Sequence, residues 1–371
     1  MSKKVIVSVI NDLSSDQRVN RSCLTLQKAG FDVVLIGRRY RNTPPLNSRP
    51  YKCKRMHLVF RKGPFFYMEF NLRLFFLLLF SRANVLFSND LDTLLPNFLI
   101  SKLKRKKLIY DSHELFTELP ELTARPFVKF VWSKIEAFIF PKLKNIITVN
   151  QSIAAIYSEK FNKKVTVIRN IPLPGMIEIS GTKKELGFNE HDFLIILQGA
   201  GINMHRGAEE AVEAMQFVEG AKLLIIGGGD VFEKLKHLRT KLHLEEKVLI
   251  IDKLPYAEMM KYTAVADLGL SLDRDTNLNY RYSLPNKVFD YIHSNTPILV
   301  SRLPELEKLI ETYNIGMVVT NINRQCIADR INSIKINPKL ISDWKTNLLL
   351  AQKELNWKNE ELKYLNFLKI I

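Results

Sequence analysis

Apolar residues along this chain follow two alternating rhythms. Short β-branched runs at residues 5–10, 33–36, 83–87, 108–110 and 146–149 have the length and composition of strands. Between them, residues 18–29, 66–80, 94–103 and 127–140 carry apolar positions at helical spacing, and Gly30 follows the first of these where a helix would stop. The rhythm then begins again. Residues 193–198, 222–226, 248–251, 268–272 and 298–300 read as strands, with helices expected at 208–215, 231–242, 256–264 and 287–293. Alternation of this kind predicts a parallel sheet with helices on both faces. Two such runs predict two α/β units.

The segment Arg169-Asn170-Ile171-Pro172-Leu173-Pro174-Gly175, with two prolines and a glycine, suits a linker between them. It sets expected limits of 1–170 for an N-terminal Rossmann-like domain and 171–350 for a C-terminal one. The stretch from Asp343 to the end is helical and carries Trp344 and Trp357, and residues 351–371 are expected as a helix crossing back onto the N-terminal domain. At 371 residues the chain can bury two cores. Sheets of this type bind ligands at the carboxyl ends of their strands. Two such edges facing each other would form a cleft.

Charge changes the picture of the first half. Residues 1–170 hold 30 Lys/Arg against 12 Asp/Glu, whereas residues 171–371 hold 25 against 26. The whole excess therefore lies in the N-terminal half, in clusters such as Arg38-Arg39-Tyr40-Arg41, Arg61-Lys62 and Lys102-Leu103-Lys104-Arg105-Lys106-Lys107. It points to an anionic partner for that half. Nucleic acid is not indicated, because no aromatic–basic interleaving of an RNA motif accompanies the charge. The most apolar stretch, residues 72–80, is interrupted by Arg73 and is shorter than the roughly 20 residues a membrane span needs. It reads either as a core-facing helix or as one whose outer face touches lipid. Met1-Ser2-Lys3-Lys4 runs straight into the first strand, so no secretory leader is expected. Cys23, Cys53 and Cys326 lack metal-ligand spacing and read as reduced thiols. A cytoplasmic protein, peripheral on the inner face of the cell membrane, is expected.

The densest chemistry lies in residues 272–301. A polar loop there leads into a helix at Tyr282-Ser283-Leu284-Pro285-Asn286-Lys287, and Asn295-Thr296-Pro297 leads into the next strand. Backbone N–H groups at such a helix start, reinforced by the helix dipole, make an anion site. Lys287 adds a charge where a diphosphate would lie. Asp290, three residues on, shares its helical face and can accept hydrogen bonds from ribose hydroxyls.

This block resembles the donor-binding region of GT-B retaining glycosyltransferases of family 4 (group 1), in the subgroup reading Leu-Pro-Asn-Lys-x-Phe-Glu-Tyr before a Gly-x-Pro-Val-like turn. The likeness runs through nearly the whole chain. Asn11-Asp12-Leu13-Ser14-Ser15-Asp16-Gln17-Arg18-Val19 resembles the family's first loop, and Asn89-Asp90-Leu91-Asp92 and Tyr110-Asp111-Ser112-His113-Glu114 its N-domain strand ends. Gly199-Ala200-Gly201, Arg206-Gly207 and Gly227-Gly228-Gly229 resemble loops of its C-domain. The resemblance implies two Rossmann-like domains facing across a cleft. It implies transfer of a hexosyl group, with retention of configuration, from a nucleoside-diphosphate sugar to a hydroxyl of a glycan or lipid-linked acceptor. It further implies that neither metal, cofactor nor side-chain nucleophile is needed, and a place in surface polysaccharide or glycoconjugate synthesis.

Carried residue by residue, the resemblance assigns Arg206 to the donor phosphates, with Lys287 in support, and His113 to the neighbourhood of the transferred sugar. Asp290 is implied to hold the ribose, and Asp252, Lys253 and Leu254 to meet the nucleobase. Gly201, Ser283, Leu284, Pro285 and Asn286 complete the donor side, while Asp12, Arg18, Asp90 and Asp111 are acceptor-side candidates. Tyr282 stands where the family commonly has a glutamate, and Asp290 is one methylene shorter than its partner glutamate. Asp275, in the preceding loop, offers a replacement acid. The first loop lacks the common glycine pair, and a second phosphate-binding cation has no clear match. Two alternatives follow from these departures: a non-catalytic nucleotide-sugar-binding subunit, and a nucleotide-sugar epimerase of the same architecture. The latter would need acid–base side chains around the sugar, for which the sequence offers only His113 and scattered acids.

Overall fold

A computed structural model describes residues 2–14, 16–40, 46, 48–173 and 181–371. Ser15, Arg41 and the Pro174-Gly175 part of the expected linker lie outside the described residues. The chain divides into two compact units, Met1–Asn170 with Glu360–Ile371, and Ile171–Asn359.

The first unit is built on β1 (Lys4–Asp12), β2 (Asp32–Arg38), β3 (Lys52–Met56), β4 (Val85–Asn89), β5 (Lys107–Ser112), β6 (Asn145–Thr148) and β7 (Thr166–Val167). Their order is β3-β2-β1-β4-β5-β6-β7 and every neighbouring pair is parallel. Central strands are buried on both faces, so β1 and β4 read as continuous apolar runs instead of alternating ones. β3 escapes that pattern. Its sequence Lys-Cys-Lys-Arg-Met lies at the sheet edge and buries only Met56, so it carries no apolar run to betray it.

Helix Gln17–Lys28 starts where Asp16 accepts a hydrogen bond from the Val19 N–H at 3.0 Å. Helix Pro64–Leu79 settles what residues 72–80 do. Phe66, Phe70, Leu74 and Leu78 face the core, while Leu72, Phe76 and the following Phe80 stay exposed. No helix among the described residues is long and apolar enough to cross a membrane. The last helix, Trp357–Leu368, belongs to this unit from Glu360 onward. It is held by Glu360 accepting from the Arg169 N–H at 2.9 Å and by a Lys28–Glu361 ion pair at 2.7 Å.

The second unit carries β8 (Phe193–Gly199), β9 (Ala221–Gly227), β10 (Val248–Asp252), β11 (Leu268–Ser271), β12 (Ile298–Ser301) and β13 (Gly316–Val319), in the order β10-β9-β8-β11-β12-β13. Alternate residues feed two cores. Ile195, Leu197, Leu223, Ile225 and Leu270 pack on one face, and Leu194, Ile196, Leu224, Ile226 and Val300 on the other. β13 was not expected; only four residues long, it lies so close to β12 that a Cβ on Gly316 would meet Ile298 O at 1.9 Å. The unit extends to Asn359, past residue 350, because helix Pro338–Glu354 and the residue after it bury Leu348, Ala351 and Leu355 in its core. In both sheets the strand order reverses at one place, β1/β4 and β8/β11, and such switch points leave room for ligands at the carboxyl edge.

Candidate functional site

At the second switch point β8 and β11 pair only through Leu268↔Ile195 and Gly269↔Ile196 before they part. Tyr291, from helix Asn286–His293, fills the opening. Its ring lies against Gly269, where a Cβ would come within 2.6 Å, and its hydroxyl lies 3.2 Å from Leu270 O and 3.3 Å from Gln198 N. The loop after β8 is drawn onto the end of β11 at Gly207. With φ +73° and Leu272 O 2.3 Å from any added Cβ, only glycine fits there.

That approach aims Arg206. Its Nη1 lies 3.1 Å from Asp273 Oδ2, and its guanidinium sits 4.7 Å from the centroid of the Tyr280 ring. Asp273 is fully buried, and its Oδ1 has no hydrogen-bond partner among the described residues. Lys287, in the first turn of Asn286–His293, belongs to the same electrostatic group. Burial pushes its ammonium pKa down, the Asp273 carboxylate pulls it up, and the Arg206 charge pushes it down further. Two cations thus share one buried acid.

The neighbouring predicted residues have varied partners. Tyr282 ends a helical turn, Leu278–Arg281, that begins where Asn277 caps the Tyr280 N–H at 2.9 Å. Ser283 Oγ donates to Tyr280 O at 2.9 Å, Leu284 packs on the core, and Pro285 precedes exposed Asn286 with no side-chain cap. Asp275 is exposed and bound to Arg281 Nε at 3.0 Å, and the acid beside Arg206 is Asp273. Asp290 is buried, accepting from Tyr256 Oη at 2.7 Å and from Gln198 Nε2 at 3.2 Å. Asp252 and Lys253 are exposed at the end of edge strand β10, with Asp252 3.4 Å from Lys236 Nζ, and Leu254 packs on the core. Gly201 is exposed and would admit a Cβ, its nearest neighbour being Asn203 at 3.6 Å.

In the first unit, His113 follows β5. Its Nδ1 lies 3.1 Å from Asp90 Oδ2, its Nε2 3.4 Å from Asp111 Oδ2, and its backbone N–H donates to Asp90 Oδ1 at 2.8 Å. Burial alone would pull the imidazole pKa down; the two carboxylates overcome it and raise it well above the usual value. Burial likewise would raise the Asp111 carboxyl, but Arg18 and His113 hold it below the usual range. Arg18 grips Asp111 with Nε at 3.1 Å and Nη2 at 2.7 Å, and its Nη1 donates to Ile168 O at 2.9 Å. Arg18 is 4% and Asp111 1% exposed, and their side chains meet each other, His113 and Ile168 O.

Asp90 adopts φ +57° and ψ 171°, a region that almost only glycine visits, which costs about 1–3 kcal/mol. Its backbone N–H on Asp111 O at 2.9 Å and its carboxylate on His113 hold it there. Asp12 accepts from Ser14 N–H at 2.9 Å and Oγ at 2.8 Å and closes the turn after β1. Asp92, buried beside Asp90, is pushed well up by burial and by that neighbour's charge, and its Oδ1 has no hydrogen bond. Across from it the Arg38 guanidinium stacks over Tyr40 at 3.9 Å and over Phe66 at 4.5 Å.

Two family models match the chain, Glycosyltransferase Family 4 over residues 18–171 and Glycosyl transferases group 1 over residues 180–348. The chain is a group 1 glycosyltransferase. Solved structures agree on the fold. Sucrose-phosphate synthase from Thermosynechococcus elongatus superposes with a TM-score of 0.78 at 13% identity, covering 99% of this chain and 98% of that one. A glycosyltransferase from Rickettsia africae gives 0.74 at 13% identity, covering 98% and 97%. Anabaena HepE in complex with UDP-glucose gives 0.74 at 12%, covering 99% and 100%. No curated protein matches the chain by sequence at a significant level.

In this glycosyltransferase, Arg206 and Lys287 come together as one group, and His113, Asp90, Asp111 and Arg18 as another. Four participants escaped sequence reasoning: Asp273, Tyr256, Gln198 and Asp92. For Asp273 a signal existed, since an acid directly after the apolar run 268–272 starts out buried and needs a cation. Gln198 and Tyr256 meet Asp290 across 92 and 34 residues of chain, a pairing that no local pattern announces.

Proposed function

We propose that this glycosyltransferase moves a hexosyl group from a nucleoside-diphosphate sugar to a hydroxyl of a glycan or lipid-linked acceptor, with retention of configuration. The pathway we assign is surface polysaccharide or glycoconjugate synthesis at the inner face of the cell membrane. One observation carries the donor reading: Arg206 and Lys287 share the single buried acid Asp273. Arg206, Lys287 and Asp273 together carry a net positive charge, and a diphosphate brings both negative charge and hydrogen-bond acceptors.

In the reaction, the bond from the anomeric carbon to the diphosphate oxygen breaks while the acceptor oxygen bonds to that carbon from the same face. The acceptor proton leaves on the departing phosphate oxygen. Arg206 and Lys287 stabilise the charge that develops there, which is the work a metal would do elsewhere, so chelators should leave the rate unchanged. His113 contributes a fixed positive charge, both ring nitrogens being directed at carboxylates. Asp290 takes the ribose by exchanging the Tyr256 hydroxyl for a ribose hydroxyl. UDP and UDP-glucose occupy the solved HepE complexes, so uridine donors are the first to try.

The test is a panel of nucleotide sugars followed by donor hydrolysis and transfer. Arg206→Ala and Lys287→Ala should each lower kcat/KM by about tenfold to a hundredfold, the worth of one charge-assisted hydrogen bond. Failure of every nucleotide sugar to bind sinks the reading, and epimerised product without acceptor points to the epimerase alternative.

A further inference from the structure

The first unit carries an apolar surface that its own fold leaves uncovered. Along helix Pro64–Leu79, Phe65, Met68, Leu72, Phe76 and the following Phe80 return every three or four residues and are all exposed, Phe80 to 81%. The stripe is about 24 Å long at 1.5 Å per residue. It lies opposite the buried Phe66, Phe70, Leu74 and Leu78, so the helix has large apolar side chains on two sides while only one side meets the core. Helix Pro126–Ile139 repeats the arrangement. Phe127, Phe130, Val131 and Phe138 are exposed, Phe127 to 78%, and Trp132, Glu136 and Ile139 are buried. Helix Leu94–Leu103 packs against both and adds exposed Leu99 and Leu103. Ring contacts tie the set together, Tyr67 to Trp132 at 5.4 Å and Phe98 to Phe138 at 6.2 Å. A soluble surface rarely gathers so many large apolar side chains in one place.

The acids near this face are mostly held in ion pairs, Glu118 with Lys129 at 2.8 Å among them, while Glu121 is exposed. The acid of the first helix, Glu69, is bound to Arg73 at 2.7 Å and to the backbone N–H groups of Val59 and Phe60. That of the second, Glu136, is buried on Lys160 at 2.7 Å. Cations, by contrast, stand over the aromatic rings: Lys134 Nζ lies 5.2 Å from the Phe130 centroid, and Lys142 Nζ 3.1 Å from that of Phe138. Beside Phe98 a cavity of about 440 Å³ is lined by Lys102, Arg105, Lys106, Lys107, Lys142 and Lys144, with no acid among its lining residues.

We propose that these helices are a docking face for an anionic phospholipid surface. The exposed aromatic and aliphatic side chains enter the headgroup–acyl boundary, and the lysine-lined cavity takes a lipid phosphate. Apolar area flanked by cations is what interfacial binding requires, and one basic patch without apolar insertion binds weakly. The stripe begins at Phe65, next to the Phe66 ring under Arg38 at the carboxyl edge of the sheet. A membrane below it therefore presents lipid-linked molecules to the edge that carries Asp12, Asp90 and His113. The docking face is argued from the first unit alone; only its use in delivering a lipid-linked acceptor rests on the function proposed above.

The experiment is flotation of the full chain with vesicles of 30% phosphatidylglycerol in phosphatidylcholine, against pure phosphatidylcholine. We expect binding to the anionic vesicles that weakens in high salt, and little to the neutral ones. Phe76→Ser with Phe130→Ser should cut partitioning at least tenfold, since each ring gives up apolar burial. Lys102→Gln with Lys142→Gln should cut it about fivefold per lysine. All four side chains lie on the surface, so circular dichroism, melting and nucleotide-sugar binding by the second unit should be unchanged. Absence of vesicle binding by the native chain overturns the proposal, and so does equal binding by Phe76→Ser/Phe130→Ser. Equal binding to neutral vesicles overturns the charge argument. A concentration-dependent dimer abolished by the same serine substitutions overturns it in favour of a second copy. None of these results bears on donor turnover, which tests the proposed function separately.

Discussion

Replacing Arg18 by alanine tests how the first unit holds its histidine. The side chain is 4% exposed, grips Asp111 with two nitrogens, and donates from the third to Ile168 O at 2.9 Å. Its removal leaves a carboxylate that is 1% exposed, with His113 Nε2 at 3.4 Å as its remaining cationic partner among the described residues. Breaking a buried pair from one side costs about 3–5 kcal/mol, because an uncompensated charge stays behind. The protonated His113 neutralises part of it, so the lower end, about 3 kcal/mol, is expected. For a unit of this size that is a fall in Tm of roughly 6–12 °C. The assay is thermal melting, with hydrogen exchange on β1, β4 and β5 to assign the loss to the first unit. The reasoning makes a second demand. If the penalty is the stranded charge, Asp111→Asn added to Arg18→Ala should recover at least half of it. An Arg18→Ala protein melting within about 3 °C of the native chain, or a double variant no better than the single one, would refute it.

Further outcomes follow from the same geometry. His113 has a raised folded pKa, so its stabilisation is full below the unperturbed value near 6.5 and is lost as pH rises through the folded value. The stability gap between the native chain and His113→Gln, read from urea midpoints, should therefore close at alkaline pH; a gap independent of pH contradicts the doubly paired imidazolium. Lys287 is pushed down chiefly by burial, and an anion beside it restores its proton, so binding of a nucleoside diphosphate at alkaline pH should take up protons. Calorimetry in buffers of different ionisation enthalpy measures this, and zero uptake removes Lys287 from the phosphate site. Tyr256→Phe deprives Asp290 of the 2.7 Å hydrogen bond that a ribose hydroxyl would replace. It should tighten nucleoside-diphosphate binding by about fivefold, the worth of one such bond, with no gain for a deoxyribose analogue lacking the hydroxyls.

The order of strands and helices was readable from the chain alone, because buried parallel strands are continuous apolar runs and the helices between them keep a period near 3.6. Arg206, Lys287 and His113 stand out as candidates through local patterns of glycine, helix start and strand end. The strands that went unseen, β3, β7 and β13, are short or polar edges whose pairing comes from their neighbours. The partners of the site residues were equally hidden. That Asp273 is the acid beside Arg206 depends on where β11 ends and on Gly207 pressing against Leu272. Arg18 and Asp111, 93 residues apart, stand in the sequence as separate acceptor-side candidates, and only the fold pairs them beside His113. Likewise residues 72–80 are apolar in any reading; only packing decides that Leu74 and Leu78 meet the core while Leu72, Phe76 and Phe80 face outward. Periodicity sets which side chains share a face, and the tertiary fold alone sets what that face meets.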